Sequence, residues 1–218
     1  MRVAIPSVTS RMGSPVAEYL VERLGWSVPE PYLRLLHFEM ETGEVVFCRG
    51  SDVPSLVANN VVDYGVTGFD VCVEWSLSAG SGLACLAPPD VVRTSFVSYV
   101  GVASRTGVKR IYTEYPALTR AWLSFTKCDE NMHLVEMHGS SEGIVQVDPI
   151  AAGVILVTSG RTLEANGLDL QVPLMSTDLC FVTSRGRGRE EAVGKHTGLV
   201  LVPLKNPTFV EKVTERCS

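Results

Sequence analysis

The chain has 218 residues, 45% of them hydrophobic and 20% charged, with a formal net charge of −5. That balance describes a folded globular protein, and it leaves no overall basic field to attract nucleic acid or a membrane surface. The length suits one large domain or two small ones. No apolar run approaches the ~20 residues of a membrane helix, and no basic-then-apolar leader opens the chain. The six cysteines (Cys48, Cys72, Cys85, Cys128, Cys180, Cys217) are scattered without CxxC spacing. This pattern favours reduced thiols in a cytoplasmic protein and speaks against zinc.

In chain order, Arg2-Val3-Ala4-Ile5-Pro6 reads as a first strand closed by proline. A polar loop at 7–13 follows, and Ser14-Pro15 opens a helix whose Val16, Leu20 and Leu24 share a face before Gly25. Strand, polar loop and helix form a usual place for a ligand at the carboxyl edge of a sheet, and Arg11 is the only cation in that loop. Segments 32–39 and 44–48 read as a hairpin turning at Thr42-Gly43. Arg49 comes next. Asp52-Val53-Pro54 then opens a short helix to about Asn60, with the aspartate as cap. Segment 63–67 is a strand, Gly68-Phe69-Asp70 a turn, and 71–77 a helix; Asp70 is either its cap, a ligand-binding group, or both.

Ala87-Pro88-Pro89-Asp90 reads as a crossover linker. Strands are expected at 96–104 and 110–113, then a helix from Tyr115-Pro116 with Leu118, Trp122 and Phe125 on one face. A strand at 134–137 runs into His138-Gly139-Ser140-Ser141-Glu142, where no acid partner or nucleophile elbow makes His138 more than a strand-end residue. The stretch 154–168 is the most informative. Val154-Ile155-Leu156-Val157 reads as a buried strand, Thr158-Ser159-Gly160 as a turn, and Arg161-Thr162-Leu163-Glu164-Ala165 as a helix stopped by Asn166-Gly167. That order points several backbone N–H groups at one spot, with hydroxyls and a helix dipole beside them, which suits a phosphate. An ordinary strand-to-helix turn is the plain alternative.

Segments 168–174, 179–183 and 198–204 close the strand pattern, and Asn206-Pro207 starts a terminal helix. Arg185, Arg187 and Arg189 lie in a glycine-rich loop that reads as a solvated turn. The alternation gives an α/β class with largely parallel sheets. Two α/β domains joined by a hinge are expected: 1–88 with 175–218 as domain I, and 89–174 as domain II carrying the phosphate turn. Pro88 and Pro173 mark the two hinge passages, and the ligand belongs in the cleft between domains.

With those residues laid out, the chain resembles the ATP phosphoribosyltransferases of histidine biosynthesis, in their short form. Four blocks carry the resemblance in order. They are Arg49 with Asp52-Val53-Pro54; Asp63-Tyr64-Gly65-Val66-Thr67-Gly68-Phe69-Asp70 with Glu74; residues 110–120; and Gly139-Ser140-Ser141-Glu142 followed by Thr158-Ser159-Gly160-Arg161-Thr162-Leu163 and Asn166-Gly167-Leu168. The resemblance implies a two-domain fold like type II periplasmic binding proteins, without the long form's C-terminal regulatory domain. It implies transfer of phosphoribosyl from phosphoribosyl pyrophosphate to N1 of ATP. Mg2+ would be held mainly by the substrate phosphates. A homo-oligomer is implied, with a histidyl-tRNA-synthetase-like regulatory subunit as partner. Residues 158–163 would hold the phosphoribosyl pyrophosphate, and Arg11, Arg49, Gly68, Asp70 and Glu142 would line the nucleotide site or the cleft. No residue is assigned as catalytic.

The chain departs from the family pattern at four places. Ile155 and Ala151 stand where acidic residues are usual, Glu114 stands for a lysine, and the first loop reads Ser7-Val8-Thr9-Ser10-Arg11 in place of Lys-Gly-Arg. A carboxylate beside the phosphate turn would bind the ribose hydroxyls, and Asp148 is the nearby acid in sequence that can stand in. The alternatives to the ATP reaction are a phosphoribosyltransferase with another acceptor and a non-catalytic nucleotide-binding regulator.

Overall fold

The structure is a computed structural model that describes residues 2–7, 36–40, 43–79, 83–87, 98–104, 108–126, 132–139, 141–177, 179–184 and 200–202. These fall into two compact units, one within Met1–Ser95 and Leu179–Leu204, the other within Phe96–Asp178. The helix expected from Ser14, the Pro88-Pro89 linker, the arginine loop and the terminal helix lie outside the described residues.

The first unit is a seven-stranded sheet in the order β12-β5-β11-β4-β1-β3-β2. Its strands are β1 (Arg2–Pro6), β2 (His37–Met40), β3 (Gly43–Cys48), β4 (Tyr64–Gly68), β5 (Leu83–Ala87), β11 (Leu179–Ser184) and β12 (Val200–Val202). Helices α1 (Val53–Ala58) and α2 (Phe69–Ala79) accompany them. Ala4, Val53, Val57, Val62, Cys72, Cys180 and Val182 pack into its core. Gly65 is needed there, because a Cβ would sit 2.2 Å from Val53 Cγ1. The second unit is a five-stranded sheet, β10-β6-β9-β7-β8. It contains β6 (Ser98–Ser104), β7 (Arg110–Thr113), β8 (His133–Glu136), β9 (Ala151–Val157) and β10 (Asp169–Thr177), with α3 (Pro116–Thr126), α4 (Ser141–Val147) and α5 (Arg161–Ala165).

Both sheets are mixed. The pairings β1–β3, β1–β4, β7–β8 and β7–β9 are parallel. The other six are antiparallel. The expectation of largely parallel sheets is therefore corrected, although the α/β class stands. Strand β11 is apolar like a parallel core strand, yet it runs antiparallel to both β4 and β5 after the chain returns from the second unit. Burial patterns report depth, not direction.

Helix α4 was not expected. Its sequence, Ser-Glu-Gly-Ile-Val-Gln-Val, holds a glycine and three β-branched residues, all weak in helices, and packing of Val145 against β9 overrides that propensity. Asp52 does not cap α1: its backbone is already helical and its side chain makes no capping bond. Pro173 is no hinge residue. It stands inside β10 opposite Gly101, beside a register irregularity, where an edge strand tolerates a missing N–H. Helix α3 matches its expected spacing, with Pro116 at its start and Leu118 and Trp122 buried four residues apart.

Candidate functional site

In the second unit β7, β8 and β9 are parallel, so their carboxyl ends share one edge of the sheet. Strand β9 is buried along nearly its whole length and delivers the chain to Thr158-Ser159-Gly160 at that edge. Gly160 has φ 73 and ψ −9, a left-handed conformation that glycine adopts without penalty. A Cβ there would meet nothing within 4 Å, so the glycine sets the turn and leaves its mouth open. Thr158, Ser159, Arg161 and Thr162 are exposed, whereas the Leu163 side chain is buried in the core. Leu163 can therefore offer a ligand only its amide. The first amides of a helix lack intrahelical acceptors, and the Arg161 N–H is loosely held by Ser159 Oγ at 3.5 Å.

The helix behind the turn spans only five residues. Its dipole is weak, so the polar character of the turn comes from N–H groups and hydroxyls more than from a macrodipole. A Schellman motif stops it: Leu168 N–H donates to Leu163 O at 2.9 Å and Gly167 N–H to Glu164 O at 3.0 Å, with Gly167 at φ 62. Leu168 and Leu163 then pack together in the same cluster. The Asn166-Gly167-Leu168 block is thus structural, fixing the helix that carries Arg161 and Thr162.

Glu142 sits half-buried in the first turn of α4, at the exit of β8, on the same edge. Ile155 and Ala151 are each only 3% exposed and pack with Val145, Val157, Leu163 and Leu168. Asp148 does not replace the missing acids. It lies before the amino end of β9, a seven-residue strand about 20 Å long, while the turn lies past the other end. There its carboxylate accepts from Arg110 and from the Tyr112 hydroxyl at 3.1 Å. Burial would raise the Asp148 pKa, but the Ile150 amide, Arg110 and Tyr112 together hold it below the usual carboxylate range.

In the first unit the carboxyl ends of β1, β3 and β4 also share an edge. Ser7 N–H donates to Cys48 O at 3.1 Å, and Thr67 Oγ1 donates to Gly50 O at 2.7 Å. Arg49 follows β3, and Gly68 and Asp70 lie where β4 passes into α2, at that edge. Arg49 is exposed and extended ahead of a single 3-10 turn, and Asp70 is buried in the first turn of α2. A Cβ on Gly68 would lie 2.3 Å from Asp70 Oδ1, so this glycine makes the space in which the carboxylate sits. The Cys48 thiol is pushed up to about 11 by burial and by Asp52, which rules it out as a thiolate nucleophile near neutral pH. Arg11 lies outside the described residues. Among the described residues no group of three or more His, Cys, Asp or Glu is placed to hold a metal, and no helix is long and apolar enough to cross a membrane.

Sequence reasoning missed the bend after β7. Thr113 Oγ1 accepts from Tyr115 N–H at 2.8 Å and donates to Val154 O at 3.1 Å, while Thr119 Oγ1 donates to Tyr115 O at 2.6 Å. The sequence signal available was one charged residue, Glu114, between Thr113 and Tyr115, both of which the fold buries.

Two α/β units, each with an open carboxyl edge to its parallel strands, define a two-unit α/β protein. The ATP phosphoribosyltransferase (HisG) family matches residues 49–197. An ATP phosphoribosyltransferase of Haloarcula marismortui is 31% identical over 179 residues, 77% of this chain and 60% of that protein. One from Rhodopirellula baltica is 35% identical over 134 residues, 57% of this chain and 42% of its own length. The solved ATP phosphoribosyl transferase (HisG:HisZ) complex from Thermotoga maritima superposes with a TM-score of 0.65 at 23% identity, covering 84% of this chain and 87% of that one. At that identity the likeness speaks for the fold. The chain belongs to the ATP phosphoribosyltransferase family. It spans about 60% of the length of the Haloarcula relative.

Proposed function

We propose that this chain transfers 5-phosphoribosyl from phosphoribosyl pyrophosphate to N1 of ATP, in the cytoplasm, for histidine biosynthesis or as a drifted paralogue in a nucleoside pathway. The bond from N1 to the anomeric carbon forms as the bond from that carbon to pyrophosphate breaks. No covalent nucleophile is needed; the requirements are alignment and charge stabilisation. The observation that carries the reading is the turn after β9, open at Gly160 and lined by Thr158, Ser159, Arg161 and Thr162. In this reading it holds the 5-phosphate, Glu142 faces the sugar, and Arg49, Gly68 and Asp70 belong to the nucleotide side. Mg2+ enters on the substrate phosphates it neutralises. The Thermotoga neighbour is a complex with HisZ, which supports a partner subunit of that kind beside the expected homo-oligomer.

Pyrophosphate release that requires ATP, phosphoribosyl pyrophosphate and magnesium together tests the reading, and release in the absence of ATP contradicts it. One observation favours a second reading, ligand binding without turnover: positions 151 and 155 offer the sugar no carboxylate. Thermal stabilisation by phosphoribosyl pyrophosphate with no release of pyrophosphate is its signature.

A further inference from the structure

We propose that Cys72 and Cys180 form a reversible oxidation site, a dithiol that a peroxide converts to a disulfide across the core of the first unit. The assignment is independent of what the 158–163 turn holds.

The two sulfurs lie 3.6 Å apart, although 108 positions separate the residues in the chain. Cys72 is the fourth residue of α2 and Cys180 the second of β11. Strand β11 pairs with β4, with Cys180 opposite Thr67, and α2 follows directly from β4. That arrangement brings the start of the helix and the start of the return strand into one cluster with Val53, Val57 and Val182. Cys72 is fully enclosed there and Cys180 is 4% exposed. A single buried cysteine serves as a small hydrophobe. Two whose sulfurs touch, on segments that the second unit separates in sequence, can also be joined. Cys48 is placed differently: its thiol, on β3, donates to Ile5 O at 3.9 Å.

A disulfide bond is about 2.05 Å long, so side-chain rotation and a small shift of α2 suffice to close the gap. One cysteine sulfur attacks a peroxide oxygen; the O–O bond breaks, water leaves with the thiol proton, and a sulfenic acid remains. The second sulfur then attacks the first. The S–S bond forms, the S–O bond breaks, and a second water carries off the other thiol proton. The two thiols supply the two electrons that reduce the peroxide. A small peroxide suits so enclosed a site, entering as α2 opens locally, and the sulfur in contact captures the sulfenic acid before it oxidises further. The bond closes a loop containing residues 96–178 and fastens α2, whose first turn carries Asp70, to β11.

The test treats the full chain with hydrogen peroxide, alkylates the remaining thiols under denaturing conditions and digests the protein without reduction. Mass spectrometry should find the peptides of Cys72 and Cys180 joined as the main cystine, and dithiothreitol should return both to thiols. The oxidised protein should melt roughly 5–10 °C higher, the effect of closing a long loop in a chain of this size. Cys180→Ala should show neither the joined peptides nor the rise. Cystines formed mainly by the other cysteines, or Cys72 and Cys180 both alkylated after treatment, overturn the assignment, and neither result depends on the variant folding. A rise that persists in Cys180→Ala overturns it as well.

Discussion

The two ends of β9 treat polar groups in opposite ways. At the amino end, Asp148 is satisfied by Arg110, the Tyr112 hydroxyl and a backbone amide. At the carboxyl end, Thr158, Ser159, Arg161 and Thr162 are turned to solvent around a left-handed glycine. Between them the strand is buried and apolar. A charge that serves folding is enclosed by its partners, whereas a group that serves a ligand is held by its backbone and left accessible. The family resemblance points to the second end only, and Asp148, which looks available in sequence, belongs to the first.

The sharpest way to break this contrast is to put a charge in the middle. Ile155→Asp restores the acid usual in the family but places it among Val145, Leu163 and Leu168. Urea denaturation should show a loss of about 3–5 kcal/mol, the cost of an uncompensated buried charge. A loss below about 1 kcal/mol would mean that the position opens to the site. Next in size, Gly160→Ala meets no atom but forces an alanine to φ 73, so it should cost about 1–2 kcal/mol. It should weaken phosphate binding as well, and its crystal structure should show the turn altered and α5 intact.

A smaller effect tests the enclosed end. The folded-state pKa of Asp148 is depressed, so its contribution is present above the usual carboxylate range and is lost as pH falls through the folded value. Asp148→Asn should therefore be less stable than wild type at pH 7, and the gap should close as pH drops below about 4. A gap that stays constant with pH would show that the ion pair contributes nothing. Smallest of all, Thr162→Ala should change stability by no more than about 0.5 kcal/mol, as for an exposed side chain, while lowering turnover.

The strand, turn and helix at 154–168 were legible in sequence, though the strand begins three residues earlier, because an apolar run, a turn glycine and an Asn-Gly-Leu stop mark them and the stop's hydrogen bonds form as the motif requires. Strand direction was not legible. Apolar runs such as β11 look the same whether they pair parallel or antiparallel, and the pairing partner is decided more than a hundred residues away. Helix α4 was hidden by Gly143, Ile144, Val145 and Val147, whose intrinsic preference is overruled by packing. Arg49, Gly68 and Asp70 were recognisable as a group. That Gly68 makes room for Asp70 needed coordinates, because two residues of sequence separation say nothing about a 2.3 Å approach.

Calorimetric titration of phosphoribosyl pyrophosphate into the wild type and Thr162→Ala tests the central claim most directly. The account predicts saturable heat for the wild type and affinity about tenfold weaker or worse for the variant, with both melting alike. No heat with the wild type, or equal affinity for the two proteins, would contradict it.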